Sequence, residues 1–489
     1  MATTTRRHRH DRLSALPDGI LVRVLSHLGS VHAASTAALS HRWRHIHAAV
    51  PVVDLVDPDS DQISSAIVAK NSAAPIRKFR LAELWPPHDA LDQAVATATA
   101  AGLEEFDVKL RYQDCSNRKL CPFRRHPDAY ADFDESMRGS FTATPPHIFR
   151  CDTLRRLRLT NFQLDVPEGG VSMPSLETLS LKRIMVTTDE AVQQLVSGCP
   201  NLADLTLEQC PSVVDLVVAS PRLESFSMIC CHNAAHVVLH TQRLRTLRYK
   251  GGLPAGENFL LIADCTNVLA MTIDICESLV GKSAPAVVPI TKLITRCASL
   301  TFLHLHLRPA MAYHSGAFTS ALRHLPHLRQ LALKGFLKDD QTVRSVSTLL
   351  RNTPDLDMLS LFPLRPQPAK PYYLGVDSDD DYDSEEEDEE EDGASDDNQD
   401  PRTSGVRVPL SLWESNVECL HKLRKIKLHN YKGKPNERLL AKYLLSKASS
   451  LEQFLVTLPA KTTADRQLKL TNELKYWRAN KRTRVAYTL

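Results

Sequence analysis

One short apolar pattern, Leu-x-x-Leu-x-Leu, recurs many times in the sequence and restricts the fold more than any other feature. With conservative replacements at some positions, the pattern begins at Leu154, Leu176, Leu202, Leu223, Leu244, Val268, Leu300, Leu328 and Leu356. Successive copies start 21 to 32 residues apart. Such a period is typical of units that cannot bury their apolar faces alone and stack on their neighbours. An ordinary leucine-rich α/β domain is the alternative, and the length of the series argues against it.

The copies resemble leucine-rich repeats. The copy at Leu202 continues to Cys210 and completes the pattern LxxLxLxxC, and weaker copies begin at Ile76, Leu103, Leu423 and Leu451. Helical patterns lie between strands, for example over residues 188–198 and 340–352. The expected fold is therefore α/β, with a curved leucine-rich-repeat solenoid over residues 56–364 that is interrupted by an irregular insertion at about 111–150.

The pattern also predicts which side chains face a partner. Because side chains alternate along a strand, the residues between the inward leucines share the opposite, concave face. The candidate substrate-facing residues are Arg156, Arg158, Asp204, Arg248, His304, His306, Lys425 and Lys427. The pair His304 and His306 has the spacing to bind a metal or sense pH, and a solvated strand face is the alternative.

Residues 11–55 predict three short helices. Apolar residues recur at helical spacing from Ile20 to Leu28. Ser30 and Ser40 are candidate caps for a second and a third helix, and the third places Trp43 on its apolar face. Three short helices have little interior of their own. The unit is therefore expected either to cap the following domain or to use a partner's surface.

This segment resembles a plant F-box. The resemblance rests on Leu16-Pro17, on the apolar face behind them, and on Leu39-Ser40-His41-Arg42-Trp43, whereas Gly19 and Gly29-Ser30 depart mildly from the family pattern. It implies docking onto a Skp-family linker protein and, through it, onto a cullin–RING ubiquitin ligase. The residues that it assigns to this contact are Leu16, Pro17, Ile20, Leu21, Val24, Leu25, Leu28, Leu39, Arg42 and Trp43.

Charge is divided unevenly along the chain. Residues 377–400 contain 16 Asp and Glu and no Lys or Arg, and the remainder has 60 Lys and Arg against 41 Asp and Glu, a formal excess of 19. Like charges repel, and four prolines precede the block, so residues 365–408 are expected to be a disordered insert. Ser378 and Ser384, each followed by acidic residues, are candidate phosphorylation sites. A solubilising linker, or a segment that competes with acidic partners for the basic body, are the two interpretations of the insert.

Residues 409–460 resemble the FBD region that ends many plant F-box/leucine-rich-repeat proteins. The resemblance rests on the strand Lys425-x-Ile-x-Leu428, on Tyr431-Lys-Gly433, on Glu437 and on the helix around Tyr443. This region would close the open end of a repeat array. Residues 461–489 are predicted only as a basic tail, and Lys-Arg-Thr-Arg at 481–484 is a weak match to a nuclear signal.

Neither a cofactor nor a membrane segment is expected. No apolar run approaches the ~18 residues of a membrane span, and the basic start at residues 1–10 lacks the apolar region of a secretory signal. The 11 scattered cysteines are typical of reduced thiols inside cells, in the nucleus or the cytoplasm. Cys115, Cys121 and His126 resemble metal ligands, but no second ligand pair follows at zinc-site spacing, so no metal is predicted.

The sequence therefore predicts a non-catalytic substrate adaptor of a Skp–cullin–F-box (SCF) ubiquitin ligase. In this interpretation the F-box binds the Skp-family linker and the repeats bind an unidentified protein substrate. The alternative is a basic scaffold associated with nucleic acid or chromatin, although the basic residues are dispersed without interleaved aromatic residues. No nucleophile-elbow, P-loop, zinc-protease or dinucleotide-binding motif indicates an enzyme.

Overall fold

The computed structural model describes residues 13, 15–71, 75–86, 89–112, 121, 123, 141–312, 315–337, 340–364, 418–459 and 462–488. The chain divides into two units, one of residues 1–116 and 137–202 and the other of residues 117–136 and 203–489. The predictions for residues 1–10 and 365–408, for Ser378 and Ser384, and for most of the insertion at 111–150 lie outside the described residues.

The first unit begins with the three helices that the sequence predicts. They are α1 (Asp18–Leu25), α2 (Ser30–Ser35) and α3 (His41–Ala48), with a 3-10 turn at Thr36–Ala38. Pro17 occupies the position before α1, and the backbone N–H of Trp43 donates to Ser40 Oγ (3.4 Å), so Ser40 caps α3 as predicted. The helices enclose a small core that contains Leu21, Leu25, Ala33, Trp43, Ile46, Val50 and Val52.

A parallel sheet and further helices complete the first unit. Its strands are β1 (Val52–Val56), β2 (Lys78–Leu84), β3 (Glu105–Leu110), β4 (Arg156–Thr160), β5 (Gln163–Leu164), β6 (Thr178–Lys182) and β7 (Met185–Val186). β1, β2, β3, β4 and β6 pair in that order, and β5 pairs with β7. The helices are α4 (Ser60–Asn71), α5 (Asp89–Ala100) and α6 (Ala191–Ser197), with a 3-10 segment at Pro146–Arg150.

Parallel strands also form the second unit. They are β8 (Asp204–Glu208), β9 (Asp215–Val218), β10 (Ser225–Ile229), β11 (His236–Leu239), β12 (Thr246–Gly251), β13 (Leu260–Ile262), β14 (Ala270–Ile275), β15 (Phe302–Ala310), β16 (Gln330–Phe336), β17 (Met358–Leu364), β18 (Lys425–Leu428), β19 (Gln453–Thr457) and β20 (Arg484–Thr488). The main sheet has the order β8-β10-β12-β14-β15-β16-β17-β18-β19-β20, and β9, β11 and β13 form a second sheet. This order, in which each repeat adds its strand beside the previous one, is that of a leucine-rich-repeat protein.

Helices connect many strands of the second unit. They are α7 (Val288–Arg296), α8 (Ser315–Leu322), α9 (Asp340–Leu350), α10 (Glu418–Lys422), α11 (Pro435–Lys447) and α12 (Ala464–Tyr476), with a 3-10 segment at Ala284–Val287. β17 pairs directly with β18, and Ser347 Oγ of α9 lies 2.8 Å from Tyr443 Oη of α11, so the repeats on either side of residues 365–417 are packed together. The basic tail predicted at 461–489 contains α12 and β20 and adds a further strand to the sheet.

The repeated leucines form the core. Leu157, Leu179 and Leu205 are fully buried, as are the corresponding residues of the other copies. Seven residues after the first apolar position, many copies have a residue with positive φ, for example Asn161 (64°), Arg183 (52°) and Gln209 (54°). This left-handed residue turns the chain out of the strand at the same point of each copy, so the periodicity extends from the leucines to the backbone.

The α/β class and the large parallel sheets agree with the prediction from the repeats. Among the described residues, no helix is both long enough and apolar enough to cross a membrane.

Replacement of one repeat leucine should destabilise the chain strongly. We expect Leu205→Ala to reduce the free energy of unfolding by about 2–5 kcal/mol, because Leu205 is fully buried and its truncation leaves a cavity. Urea unfolding followed by circular dichroism measures the change. Val217→Ala is the control, since Val217 is 42% exposed, and its effect should stay below about 1 kcal/mol. Equal effects of the two substitutions would contradict the assignment of Leu205 to the core.

Candidate docking surfaces

The apolar face of α1 is divided between the core and solvent. Of the residues that the sequence assigns to the Skp contact, Leu21, Leu25 and Trp43 are buried in the small helical core and Leu16 packs against it. Ile20, Val24, Leu28 and Leu39 are exposed by 48, 45, 41 and 67%. Ile20 and Val24 lie one turn apart on the same side of α1, and Leu28 follows in the turn after the helix. A row of exposed apolar side chains on a small helical unit is typical of a protein-binding surface.

Arg42 connects the two helices beside this surface. The Arg42 guanidinium donates to Asp18 Oδ1 from Nε (2.8 Å) and Nη2 (2.6 Å), and Nη2 also donates to the carbonyl of Leu16 (2.6 Å). These bonds join the start of α3 to the start of α1, where Pro17 is exposed before the first turn. Arg42 therefore has a structural contact that the sequence pattern did not predict, beside any contact with a partner.

Ion pairs cover the strand face of the first unit that carries Arg156 and Arg158. Arg156 contacts Glu105 Oε1 (2.6 Å), and Arg158 contacts Asp107 Oδ2 (3.3 Å). Lys78 and Arg80 of β2 also contact Glu105 (2.8 and 3.0 Å). Burial alone raises the pKa of Glu105, but the hydrogen bonds and charges of its basic neighbours outweigh burial and lower the pKa. Four basic side chains thus share two carboxylates, and the ion pairs leave these residues with a basic excess.

On the second unit, one strand position forms a line of chemically different side chains. The pairing register places Lys250, Asp274, His306, Lys334 and Phe362 side by side on β12, β14, β15, β16 and β17, and we call these five residues the polar row. The adjacent line, two residues earlier, contains Arg248, His304 and Lys427 of the predicted set. Asp204 and Lys425 lie on the same face, in the line that is a further two residues earlier along the strands.

Asp274 is the electrostatic centre of the polar row. Its Oδ1 atom accepts from His306 Nδ1 (3.0 Å) and Arg308 Nη1 (3.1 Å), and its Oδ2 atom lies 4.0 Å from Lys250 Nζ. Burial alone raises the pKa of Asp274, but the hydrogen bond from His306 and the nearby positive charges hold that pKa well below its usual range. Asp274 is therefore a carboxylate that fixes its basic neighbours in place.

Of the two histidines of this face, His306 is buried and His304 is half-buried. Burial lowers the pKa of His304 to about 4, assisted by the positive charges around it. Burial also lowers the pKa of His306, although the carboxylate of Asp274 opposes this effect. Among the described residues, the Nε2 atoms of both rings are buried without a hydrogen-bond partner. In neutral His306 the proton on Nδ1 faces Asp274, so Nε2 offers a lone pair to a ligand that donates a hydrogen.

Aromatic rings extend the face toward β18. Phe362 stacks on His429, with ring centroids 4.0 Å apart and planes 6° apart, and its centroid lies 5.6 Å from that of His304. The three flat rings, on β15, on β17 and just after β18, provide a platform on which an aromatic or planar side chain can stack. The face therefore combines the buried acceptor of His306 with a partly buried apolar platform.

Comparisons with known proteins agree with the repeats and the C-terminal region. A family model described as FBD-associated F-box protein At5g56370, LRR repeats, matches residues 133–260, and one described as FBD matches residues 414–455. F-box/FBD/LRR-repeat protein At2g26030 of Arabidopsis thaliana is 29% identical over 205 residues, which cover 40% of this chain and 41% of that protein. Putative FBD-associated F-box protein At1g55030 of Arabidopsis thaliana is 24% identical over 482 residues, which cover 95% and 94%. These matches support a plant F-box/LRR/FBD protein.

The chain spans about half the length of the first curated relatives, with alignments over 41, 54 and 53% of them. The crystal structure of a TLR13–ssRNA13 complex is similar over 83% of this chain and 54% of that chain, with a TM-score of 0.36 and 12% identity. The predicted leucine-rich repeats and FBD region are confirmed, whereas the assignment of the N-terminal helices as an F-box stays a prediction.

The leucine pattern predicted only one member of the polar row, His306. It did not predict Lys250, Asp274, Lys334 or Phe362 as outward residues. All five residues lie six positions after the first apolar residue of their repeat copy. Each strand continues past the last leucine of the pattern, so the residue that follows this leucine also points outward. Counting that residue as outward would have predicted the whole row.

One group of potential metal ligands lies in the described part of the chain. Cys121, Cys230, His232 and Cys276 place one ligand atom each within 4.8 Å of one another. Of the three candidates weighed from the sequence, only Cys121 belongs to this group, and Cys115 and His126 lie outside the described residues.

The buried state of His304 predicts a pH dependence of stability. The pKa of His304 is lowered to about 4 in the folded chain, whereas an unfolded histidine titrates near 6.5. The unfolded chain therefore binds more protons between these values, and the stability contributed by neutral His304 is present above about pH 6.5 and lost as the pH falls toward 4. When the pH is lowered from 7.5 to 5, the free energy of unfolding should fall for both chains. The decrease should be about 1–2 kcal/mol smaller for His304→Gln than for the parent chain.

Urea unfolding at the two pH values measures this difference. His324→Gln is the matched control because His324 is exposed, and it should keep the pH dependence of the parent. Identical pH dependence of the parent and the His304 variant would contradict the prediction.

Proposed function

We propose that this chain is the substrate-recognition adaptor of an SCF ubiquitin ligase. In this proposal the N-terminal helices bind a Skp-family linker, and the strand face of the second unit binds a protein substrate. The observation that carries the proposal is the exposed apolar row Ile20, Val24 and Leu28, together with Leu39, within a segment that resembles a plant F-box. The names of the relatives, which include F-box, FBD and LRR, support the same function.

The division of the α1 face supports partner binding over a role as an internal cap. A cap would bury its apolar residues within the chain, but these four side chains remain 41–67% exposed. Leu21, Leu25 and Trp43 meanwhile hold the helices together. The unit can therefore keep its fold while it offers a separate apolar surface to the linker.

The strand face that carries the polar row supports a substrate of a particular chemistry. The unpartnered Nε2 atom of neutral His306, whose Nδ1 atom faces Asp274, calls for an N–H or O–H donor. The stacked rings of Phe362 and His429 call for a flat side chain. We infer a protein segment that brings an aromatic side chain beside a hydrogen-bond donor.

The adaptor itself needs no catalytic group. It would hold the substrate near a ubiquitin donor that the ligase positions, and the rate would rise because the reactants are kept close together. Asp274 would hold His306 and Arg308 in place on the recognition face, since its own charge is already neutralised by its neighbours.

Substitution on the exposed row should weaken linker binding. We expect Ile20→Ser/Val24→Ser to reduce affinity for a purified Skp-family protein about tenfold or more, because two apolar side chains would no longer be buried at the contact. Isothermal titration calorimetry measures the affinity. Val214→Ser/Val217→Ser is a closely matched control, with exposures of 46 and 42% against 48 and 45%. If the α1 variant keeps its helicity and binds the Skp-family protein as tightly as the parent chain does, the docking proposal is wrong.

Truncation of the ring platform should separate substrate binding from linker binding. We expect Phe362→Ala to lose captured substrate while it retains the Skp-family protein, because Phe362 is the central ring of the platform. Quantitative affinity purification from plant cells with the proteasome inhibited measures both. Tyr476→Ala is the control, as Tyr476 is 59% exposed on α12. The same substrates recovered with Phe362→Ala as with the parent would exclude the platform as the recognition site.

A further inference from the structure

Three cysteines and one histidine from distant parts of the sequence meet at the ends of two strands. Cys230 and His232 follow β10, Cys276 follows β14, and Cys121 comes from the segment between Leu110 and Arg156. Their ligand atoms all lie within 4.8 Å of one another. The thiols of Cys121, Cys230 and Cys276 are buried, with 2, 3 and 3% exposure.

The spacing of the thiols fits a tetrahedral metal centre. A zinc ion at about 2.3 Å from each sulfur places two sulfurs about 3.8 Å apart along an edge of the tetrahedron. The Sγ atoms of Cys230 and Cys276 are 3.8 Å apart. A disulfide would require about 2.05 Å, so these atoms are not bonded to each other.

The cluster differs from the other buried thiols of the chain. Cys199 and Cys231 each donate to a backbone carbonyl, that of Leu195 (3.1 Å) and that of Leu207 (3.6 Å). In the cluster, three thiols converge with one imidazole, and both ring nitrogens of His232 are buried without a hydrogen-bond partner among the described residues. A buried imidazole without a partner is costly, and a metal bond would satisfy one of its nitrogens.

The geometry of the repeat and one residue of the inserted segment bring the members of the cluster together. Cys230 occupies the left-handed position of its repeat copy (φ 54°), and its N–H donates to the carbonyl of Lys250 (2.6 Å). A side chain at Gly252 would bring its Cβ atom to 3.0 Å from the ring of Phe123, which itself packs edge-on against His232 at 5.2 Å. Two residues of the inserted segment, Cys121 and Phe123, thus lie against the same strand ends.

We propose that Cys121, Cys230, His232 and Cys276 bind one Zn²⁺ ion in a closed structural site. Three sulfurs and one imidazole nitrogen are a ligand set that zinc prefers, and four protein ligands leave no open position for catalysis. The sequence did not point to this ligand set, because the partners of Cys121 lie more than 100 residues further along the chain.

The metal content of the full chain tests the proposal. The chain is produced without a histidine tag and purified in a phosphine reductant, and its zinc is measured by inductively coupled plasma mass spectrometry. We expect about one zinc per chain. Replacement of zinc by Co²⁺ should give a thiolate-to-cobalt charge-transfer band and the intense visible bands of tetrahedral cobalt.

Ligand substitutions provide the second arm. Cys276→Ser and His232→Ala should each lower the zinc content to well below one equivalent and alter the cobalt spectrum, while Cys199→Ser, a buried thiol outside the cluster, should keep both. The zinc and cobalt content of the parent chain decides whether the site exists, so the test does not depend on whether a variant folds. A folded parent chain that holds no zinc and takes up no stoichiometric Co²⁺ overturns the proposal. Full zinc retention in both ligand variants, or a Cys230–Cys276 disulfide in the reduced preparation, does the same.

Discussion

The burial of leucines along parallel strands is the interaction on which the other features depend. Leu205, Leu247 and Leu303 are at most 1% exposed, and each lies in the same position of its strand. Because side chains alternate along a strand, the leucines that point inward leave every second residue pointing outward. Parallel pairing in register then aligns these outward residues across many repeats. The core therefore determines which residues share a surface, even though the core residues carry no functional chemistry.

In the N-terminal helices, burial of the core residues also determines which side chains remain exposed, but here the exposed side chains are apolar. Their interior is small, and Leu21, Leu25 and Trp43 are enough to fill it. The rest of the α1 face has nothing within the helical unit to cover it, so Ile20 and Val24 remain about half exposed. Apolar residues beyond what a small core can hold are then available for a partner.

Features of the fold and of the candidate sites could be predicted from the sequence where they depend on local periodicity. They could not be predicted where they depend on contacts between residues far apart in the chain. The repeats, the helices at 340–352 and around Tyr443, and the outward position of His304 depend on local periodicity, and the structure has them close to where the sequence indicated. β20 escaped prediction because residues 484–488 lack the leucine template, although Val485 pairs with Phe454 in the expected register. Asp274 and its ion pairs depend on which strands are neighbours. The cysteine cluster depends on a segment more than 100 residues away, which no local pattern can reveal.

The polar row and the cysteine cluster are linked through the strands that carry them. Asp274 lies two residues before Cys276 on the same strand end, and Lys250 accepts at its carbonyl the N–H of Cys230. The N–H of Cys276 also donates to the carbonyl of Gly251 (2.7 Å). With a metal bound at the proposed site, β10 and β14 would be joined across β12 just beyond the polar row. The carboxylate that holds His306 and Arg308 would then stand on a strand whose end is fixed. A recognition face loses less entropy on binding when its groups are already held in place, so the metal site would contribute to recognition through rigidity, without contact with the substrate.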